Sequence, residues 1–191
     1  MRLRDPKGGT FRFDAGAVCL DFAHTGGEGR YAVFESLHEP ADLADWLARS
    51  PLAATMTVEA TARDLSEAKI LRKAIWDAAH ARAARRPIPA EATAVLNRAA
   101  AEPPLIPELA ADGTTANWAP PVRPSQALST LAREMIDLLS GPLSSRIRRC
   151  AGENCPLVFV DTSRPGARRW CSMERCGNRA KLRALRARRA R

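Results

Sequence analysis

Cys150-Ala151-Gly152-Glu153-Asn154-Cys155 and, after fifteen intervening residues, Cys171-Ser172-Met173-Glu174-Arg175-Cys176 form two C-x4-C pairs. How these cysteines are used decides the fold of the last quarter of the chain. Two thiolates from one tight turn reach one ion, and a second pair completes a tetrahedral shell. The alternative, disulfides, needs an oxidising compartment. The opening run Met1-Arg2-Leu3-Arg4-Asp5-Pro6-Lys7-Gly8-Gly9 contains no apolar stretch of the kind a signal peptide uses. A cytoplasmic location is therefore expected, with Cys150, Cys155, Cys171 and Cys176 holding one structural zinc ion. Spacing alone admits iron as well.

The cysteines lie in a strongly cationic segment. Residues 146–191 carry 14 Lys/Arg against 3 Asp/Glu, net +11, and residues 1–145 carry 16 against 18, net −2, so the whole formal charge of +9 comes from the tail. Such a concentrated cationic end points to a polyanionic partner, because displacing counterions condensed on phosphates drives binding. Arginine outnumbers lysine 26 to 4 along the whole chain, so arginine preference in the tail is partly a compositional habit. With 191 residues and 46% hydrophobic content, the chain fits one medium domain with a real core plus a small appendage. No apolar run approaches membrane-spanning length, so no membrane partner is expected.

Upstream, the pattern is mainly helical. Phe11 and Phe13 alternate with polar residues as on a short strand, Val18 to Phe22 fits a strand or a helix, and residues 26–29 read as a loop. Pro40, Leu43, Trp46 and Leu47 mark one helix ending before Pro51. A longer one is expected over 57–86, with Leu65, Ala68, Leu71, Ile75 and Ala79 on one face. A third begins after Pro89 and ends at Pro103, and a hairpin is expected around Asp112-Gly113. Ser125 reads as the N-cap of an amphipathic helix presenting Leu128, Leu131, Met135 and Leu138. Helical pattern, charge and cysteine usage all change near 143–146, so the expected domains are 1–145 and 146–191. The fold class is α+β, mostly α, with a small β element in the helical domain.

Five residues of α-helix turn Cys171 and Cys176 about 140° apart, so both cannot be mid-helix ligands. Placing Cys171 before a helix, Ser172 at its N-cap and Cys176 one turn inside solves this, and the free amides there favour thiolates. Cys150 to Cys155 reads as a zinc knuckle, and Leu157, Phe159 and Asp161 as one face of a strand. Knuckle, hairpin and helix together make a treble-clef-like finger ending in a basic helix, with Leu182 and Leu185 able to pack on it.

The runs 159–164, 168–173 and Cys176-Gly177-Asn178-Arg179-Ala180-Lys181 resemble the CGNR zinc finger, and Cys19-Leu20-Asp21-Phe22-Ala23-His24-Thr25 resembles the Leu-Asp-Phe-x-Asn-Thr signature of the ABATE domain that precedes it. His24 departs from that pattern, standing where the family has Asn. The resemblance implies a bacterial stress-induced transcription regulator, with an N-terminal domain that senses a ligand and a C-terminal finger that binds DNA. Arg168, Arg169, Arg175, Asn178, Arg179, Lys181, Arg183 and Arg186 are the expected nucleic-acid contacts. Asn178 suits bracing the knuckle as well as reading a base, and Trp170 suits the finger core better than base stacking. Asp21, His24 and Trp46 are the candidate ligand-binding residues.

The expected partner is DNA, with RNA or an acidic protein as alternatives, together with an unidentified small-molecule effector and a second copy of the chain. No enzymatic activity is expected. There is no P-loop, Rossmann glycine pattern or His-Glu-x-x-His run, and four cysteines leave a zinc ion no open position for catalysis.

Overall fold

A computed structural model describes residues 1–4, 8–27, 29–52 and 57–189. Glu28 in the expected loop, and residues 190 and 191 at the expected end of the last helix, lie outside the described residues. The architecture is mostly helical, with short antiparallel strand pairs. Strands β1 (Arg2–Arg4) and β2 (Thr10–Arg12) pair through Leu3 and Phe11. Helices α1 (Val18–Ala23), α2 (Pro40–Arg49), α3 (Ala62–Ala83) and α4 (Ala90–Ala101) follow. The hairpin of β3 (Pro107–Leu109) and β4 (Ala116–Trp118) leads to α5 (Pro124–Ser140).

Val18 to Phe22 resolves as helix. Helix α3 is shorter than the expected 57–86, for local reasons. Thr61 closes a reciprocal cap with Asp64, so the helix cannot begin earlier without losing it. At the other end Arg85 takes φ +55°, a left-handed conformation that stops propagation before Pro87. Helix α5 likewise starts one position before the expected cap: Pro124 takes the first turn, Arg123 is the N-cap, and Gln126 Oε1 accepts the Arg123 amide at 2.8 Å.

Helix α3 is the centre of the body. It packs against α1, α2, α4 and α5, burying Leu65, Ala68, Leu71, Ile75 and Ala79 against Leu20, Leu43, Leu131 and Met135. It also meets the last quarter of the chain, where β5 (Ile147–Arg149) and β6 (Val158–Val160) form an antiparallel pair against α3. The expected alternation of Leu157, Phe159 and Asp161 with exposed neighbours does not occur, since every residue from Leu157 to Asp161 is buried. The cause is that β6 is covered on both sides. On one edge β5 pairs with it, and on the other Val160 N–H donates to Ala15 O at 2.8 Å. Gly16, at φ +78°, makes this approach possible, since a Cβ there would lie 2.9 Å from Val160 O. A π-type turn (Met173–Gly177) and α6 (Asn178–Arg189) end the described chain.

Candidate metal centre and nucleic-acid interface

The cysteine geometry follows from two local devices. In the knuckle, Asn154 adopts φ +55°, and Gly152 sits so close to the ligands that a Cβ would lie 2.6 Å from Cys176 Sγ. In the second pair, Ser172 caps the turn by accepting the Glu174 amide at 3.1 Å. The turn closes by Gly177 N–H donating to Ser172 O, an i→i+5 bond at 3.1 Å. That wider winding removes the 140° problem and brings Cys171 and Cys176 to one side. Gly177 lets the Met173 side chain fold over the turn, since a Cβ there would meet Met173 Sδ at 2.6 Å and push it aside.

All four sulfurs are buried and lie within 4.8 Å of one another. A tetrahedral zinc ion with Zn–S of about 2.3 Å needs sulfurs about 3.8 Å apart, and Cys155 Sγ and Cys171 Sγ are 3.8 Å apart. The amides of Gly152 and Cys171 donate to Cys150 Sγ at 3.3 and 3.2 Å, as expected around a thiolate. Without a cation, thiol protons donated by Cys155 and Cys171 pull the Cys150 thiol down and hold their own thiols up. A soft dication relieves that competition by taking all four as thiolates. The donor set thus fits one structural zinc, with no ligand position left over.

The basic residues divide into two groups. Arg168 is committed inside the finger: it donates to Asp14 O and Cys171 O at 2.8 Å each and stacks 4.0 Å above Phe159. Arg175 turns inward too, with its guanidinium 4.8 Å over Phe11 and Nη1 3.8 Å from Cys155 Sγ. Arg169, Asn178, Arg179, Lys181, Arg183 and Arg186 are exposed, and Arg183 pairs with Glu153 across the knuckle. Leu182 and Leu185 do not pack on the finger; they are 53% and 45% exposed, because α6 projects away from it and buries none of its residues. Trp170 is half-buried against Gly177.

Asp21, His24 and Trp46 line one cavity of about 950 Å³. Its wall also includes Pro156, Leu157 and Arg175 of the finger. The His24 ring is buried and sits edge-on to Phe13 and Trp76, at 5.1 and 5.4 Å, with Nε2 2.8 Å from Val158 O. Burial holds its imidazole down to about 4, so it is neutral at pH 7. Burial also raises the Asp21 carboxyl above its usual range. Trp46 packs on Phe22.

Three residues outside the expected sites brace the structure. Asp161, fully buried, accepts from Ser163 and from the Arg168 amide and so fixes the loop leading to Cys171. Arg72 forms a bidentate pair with Glu35 at 2.6 and 2.5 Å, 37 residues away. His80 stacks on Trp76 at 4.4 Å. Only Asp161 had a usable cue, since an Asp-x-Ser run forms a local turn.

A helical body sharing one apolar core with a four-cysteine metal centre defines a two-part zinc-binding protein rather than a lone finger. Residues 146–189 match the CGNR zinc finger, and residues 16–142 match ABATE, whose description reads "Putative stress-induced transcription regulator". The chain belongs to the ABATE family. Comparison with curated proteins found no match. Among the described residues no helix is long and apolar enough to cross a membrane.

Proposed function

We propose that the protein is a cytoplasmic transcription regulator that binds duplex DNA through its zinc finger and α6, and that the body modulates this binding. The observation that carries the reading is α6 itself: it holds Arg179, Lys181, Arg183, Arg186, Arg188 and Arg189, has no acidic residue, and buries none of its side chains. A cationic helix that buries none of its side chains adds little to the core, and its charge suits a polyanionic partner outside the fold. At 1.5 Å per residue its 12 residues span about 18 Å. That is shorter than a helix running from Ser172 to the chain end, yet it reaches along a groove over about five base pairs.

The working assignment is Arg169, Arg179, Lys181, Arg183 and Arg186 to phosphates, with Asn178 at the start of α6 where it can face a base edge. Arg168 and Arg175 act indirectly, by shaping the finger. Salt titration of the zinc-loaded protein on duplex DNA and on single-stranded RNA tests this. Five phosphate contacts give a slope of log K against log salt near about −4.5 on duplex. Arg186→Gln should reduce its magnitude by about one, uniformly across sequences. Salt-independent retention, or retention of RNA alone, sinks the DNA reading.

A further inference from the structure

Residues 1–15 fall outside both family matches, which begin at 16 and 146. They also differ in charge from the body they precede. They carry 4 Lys/Arg against 2 Asp/Glu, net +2, where residues 16–145 carry 12 against 16, net −4. In sign of charge the segment goes with the finger, and so does its position. Its β1–β2 hairpin touches the finger beside the start of α6. Arg12 N–H donates to Glu174 Oε2 at 3.2 Å, and the Arg175 guanidinium lies 4.8 Å over Phe11. Thr10 and Phe11 form one wall of a groove whose other wall includes Asn178, Arg179 and Leu182 of α6.

The strand register decides what the hairpin shows to solvent. Arg2 stands opposite Arg12, and Arg4 opposite Thr10, so alternation puts the three arginines on one face and Leu3 and Phe11 on the other. Phe11 is buried, while Arg2, Arg4 and Arg12 are exposed. Like charges directly opposite each other weaken a strand pair, and a two-stranded hairpin has little stability to spare. A neutral polar residue at Arg12 would relieve that repulsion, so the charge of this face favours a polyanionic partner and not the hairpin itself. Two carboxylates border it. Asp14 accepts the Gly16 amide at 2.8 Å and Glu174 accepts the Arg12 amide, and neither forms an ion pair with the three arginines. We propose that the face made by Arg2, Arg4 and Arg12 is a second phosphate-binding surface, which grips the backbone of duplex DNA next to the stretch that α6 contacts.

The proposal rests on the DNA reading of α6 and extends its footprint. Phe11 belongs to the apolar core shared by body and finger, so the hairpin is held in place relative to α6 before DNA arrives. Each phosphate contact on duplex contributes about 0.9 to the slope of log K against log salt, so three arginines add about 2.7 to what the finger supplies.

Salt titration of the full zinc-loaded chain on a mixed-sequence duplex of about 20 base pairs tests this. Wild type is compared with variants checked for one zinc per chain and unchanged circular dichroism. Joint replacement of Arg2, Arg4 and Arg12 by Gln should flatten the slope by about 2.7. Joint replacement by Lys keeps the charge and should keep the wild-type slope. A control that removes equal charge from the body, Arg63→Gln with Lys73→Gln and Arg98→Gln, should also leave the slope as in wild type. An unchanged slope in the Gln variant overturns the proposal. So does equal flattening in the control, which would make net charge the cause, or a loss in the Lys variant as large as in the Gln variant. The DNA reading of α6 is scored separately by Arg186→Gln. If that variant loses about one unit of slope while the hairpin variant loses none, only the hairpin proposal fails. If wild type shows no salt-dependent retention of duplex, both fail.

Discussion

Helix α3 and the finger bring residues to order in different ways. Helix α3 buries apolar side chains at helical spacing over 22 residues, and each contributes a modest share of stability. In the finger, α6 buries nothing and the buried interior is small, built on four cysteines, Ile147 and the run from Leu157 to Asp161. Stability in the body is spread over many contacts, whereas in the finger it is concentrated on one ion. The two meet at β6, whose Val158, Phe159 and Val160 belong to a single apolar cluster with Leu20, Leu71 and Ile75. That contact joins the two regions in one apolar core.

Removing the ion should produce the largest effect. Zinc contributes on the order of 10 kcal/mol to small finger modules, so Cys176→Ser should release the metal and expose residues 162–189 to amide hydrogen exchange. Helices α3 and α5 should keep their far-ultraviolet circular dichroism, because their apolar faces do not depend on the ion. Loss of helical signal from the body in the same step would mean that β6 holds the two regions as one cooperative unit, and the contrast between them would collapse.

The same contrast explains what could be read without coordinates. Apolar spacing announces α2, α3 and α5, and two C-x4-C pairs announce the metal centre, since both depend on short-range pattern. Placement of β6 against Ala15 and α3 was not legible, because a three-residue strand buried on both sides has no alternation to detect. Strand β1 was hidden for a related reason: Arg2-Leu3-Arg4 carries one inward residue between charges. The cavity could be anticipated at Asp21, His24 and Trp46, but its finger wall depends on a contact across more than 130 residues of sequence, His24 to Val158.

That contact gives the next effect in size, one set by pH. His24 is held down to about 4 in the folded protein, chiefly by burial, against 6.5 for the free side chain. Between those values the unfolded chain binds the extra proton, so the contribution is whole above pH 6.5 and falls as pH drops toward 4. From pH 7 to 5 the loss is about 2 kcal/mol. Acid also displaces zinc, so the informative quantity is the difference between wild type and His24→Asn, which removes the titrating ring. Urea melts should show a stability change over this pH range smaller by about 2 kcal/mol in the variant. Identical pH profiles would show that His24 is not the group that senses acid at the junction.

Thr61→Ala is expected to have the smallest effect and tests the body alone. The Thr61 hydroxyl accepts the Asp64 amide at 3.2 Å and donates to Asp64 Oδ2 at 2.6 Å, an exposed cap at the end of α3. Alanine keeps the backbone but leaves that amide to water, a loss of about 1 kcal/mol. For a chain of this size the midpoint should fall by about 2–4 °C. The cap acts on helix initiation, while β5 and β6 lean on α3 through its packed apolar face. Zinc affinity, measured by competition with a chelator at 25 °C, should therefore stay unchanged. A parallel fall in zinc affinity would show that the metal site feels the register of α3 directly, making the body part of the finger's own scaffold.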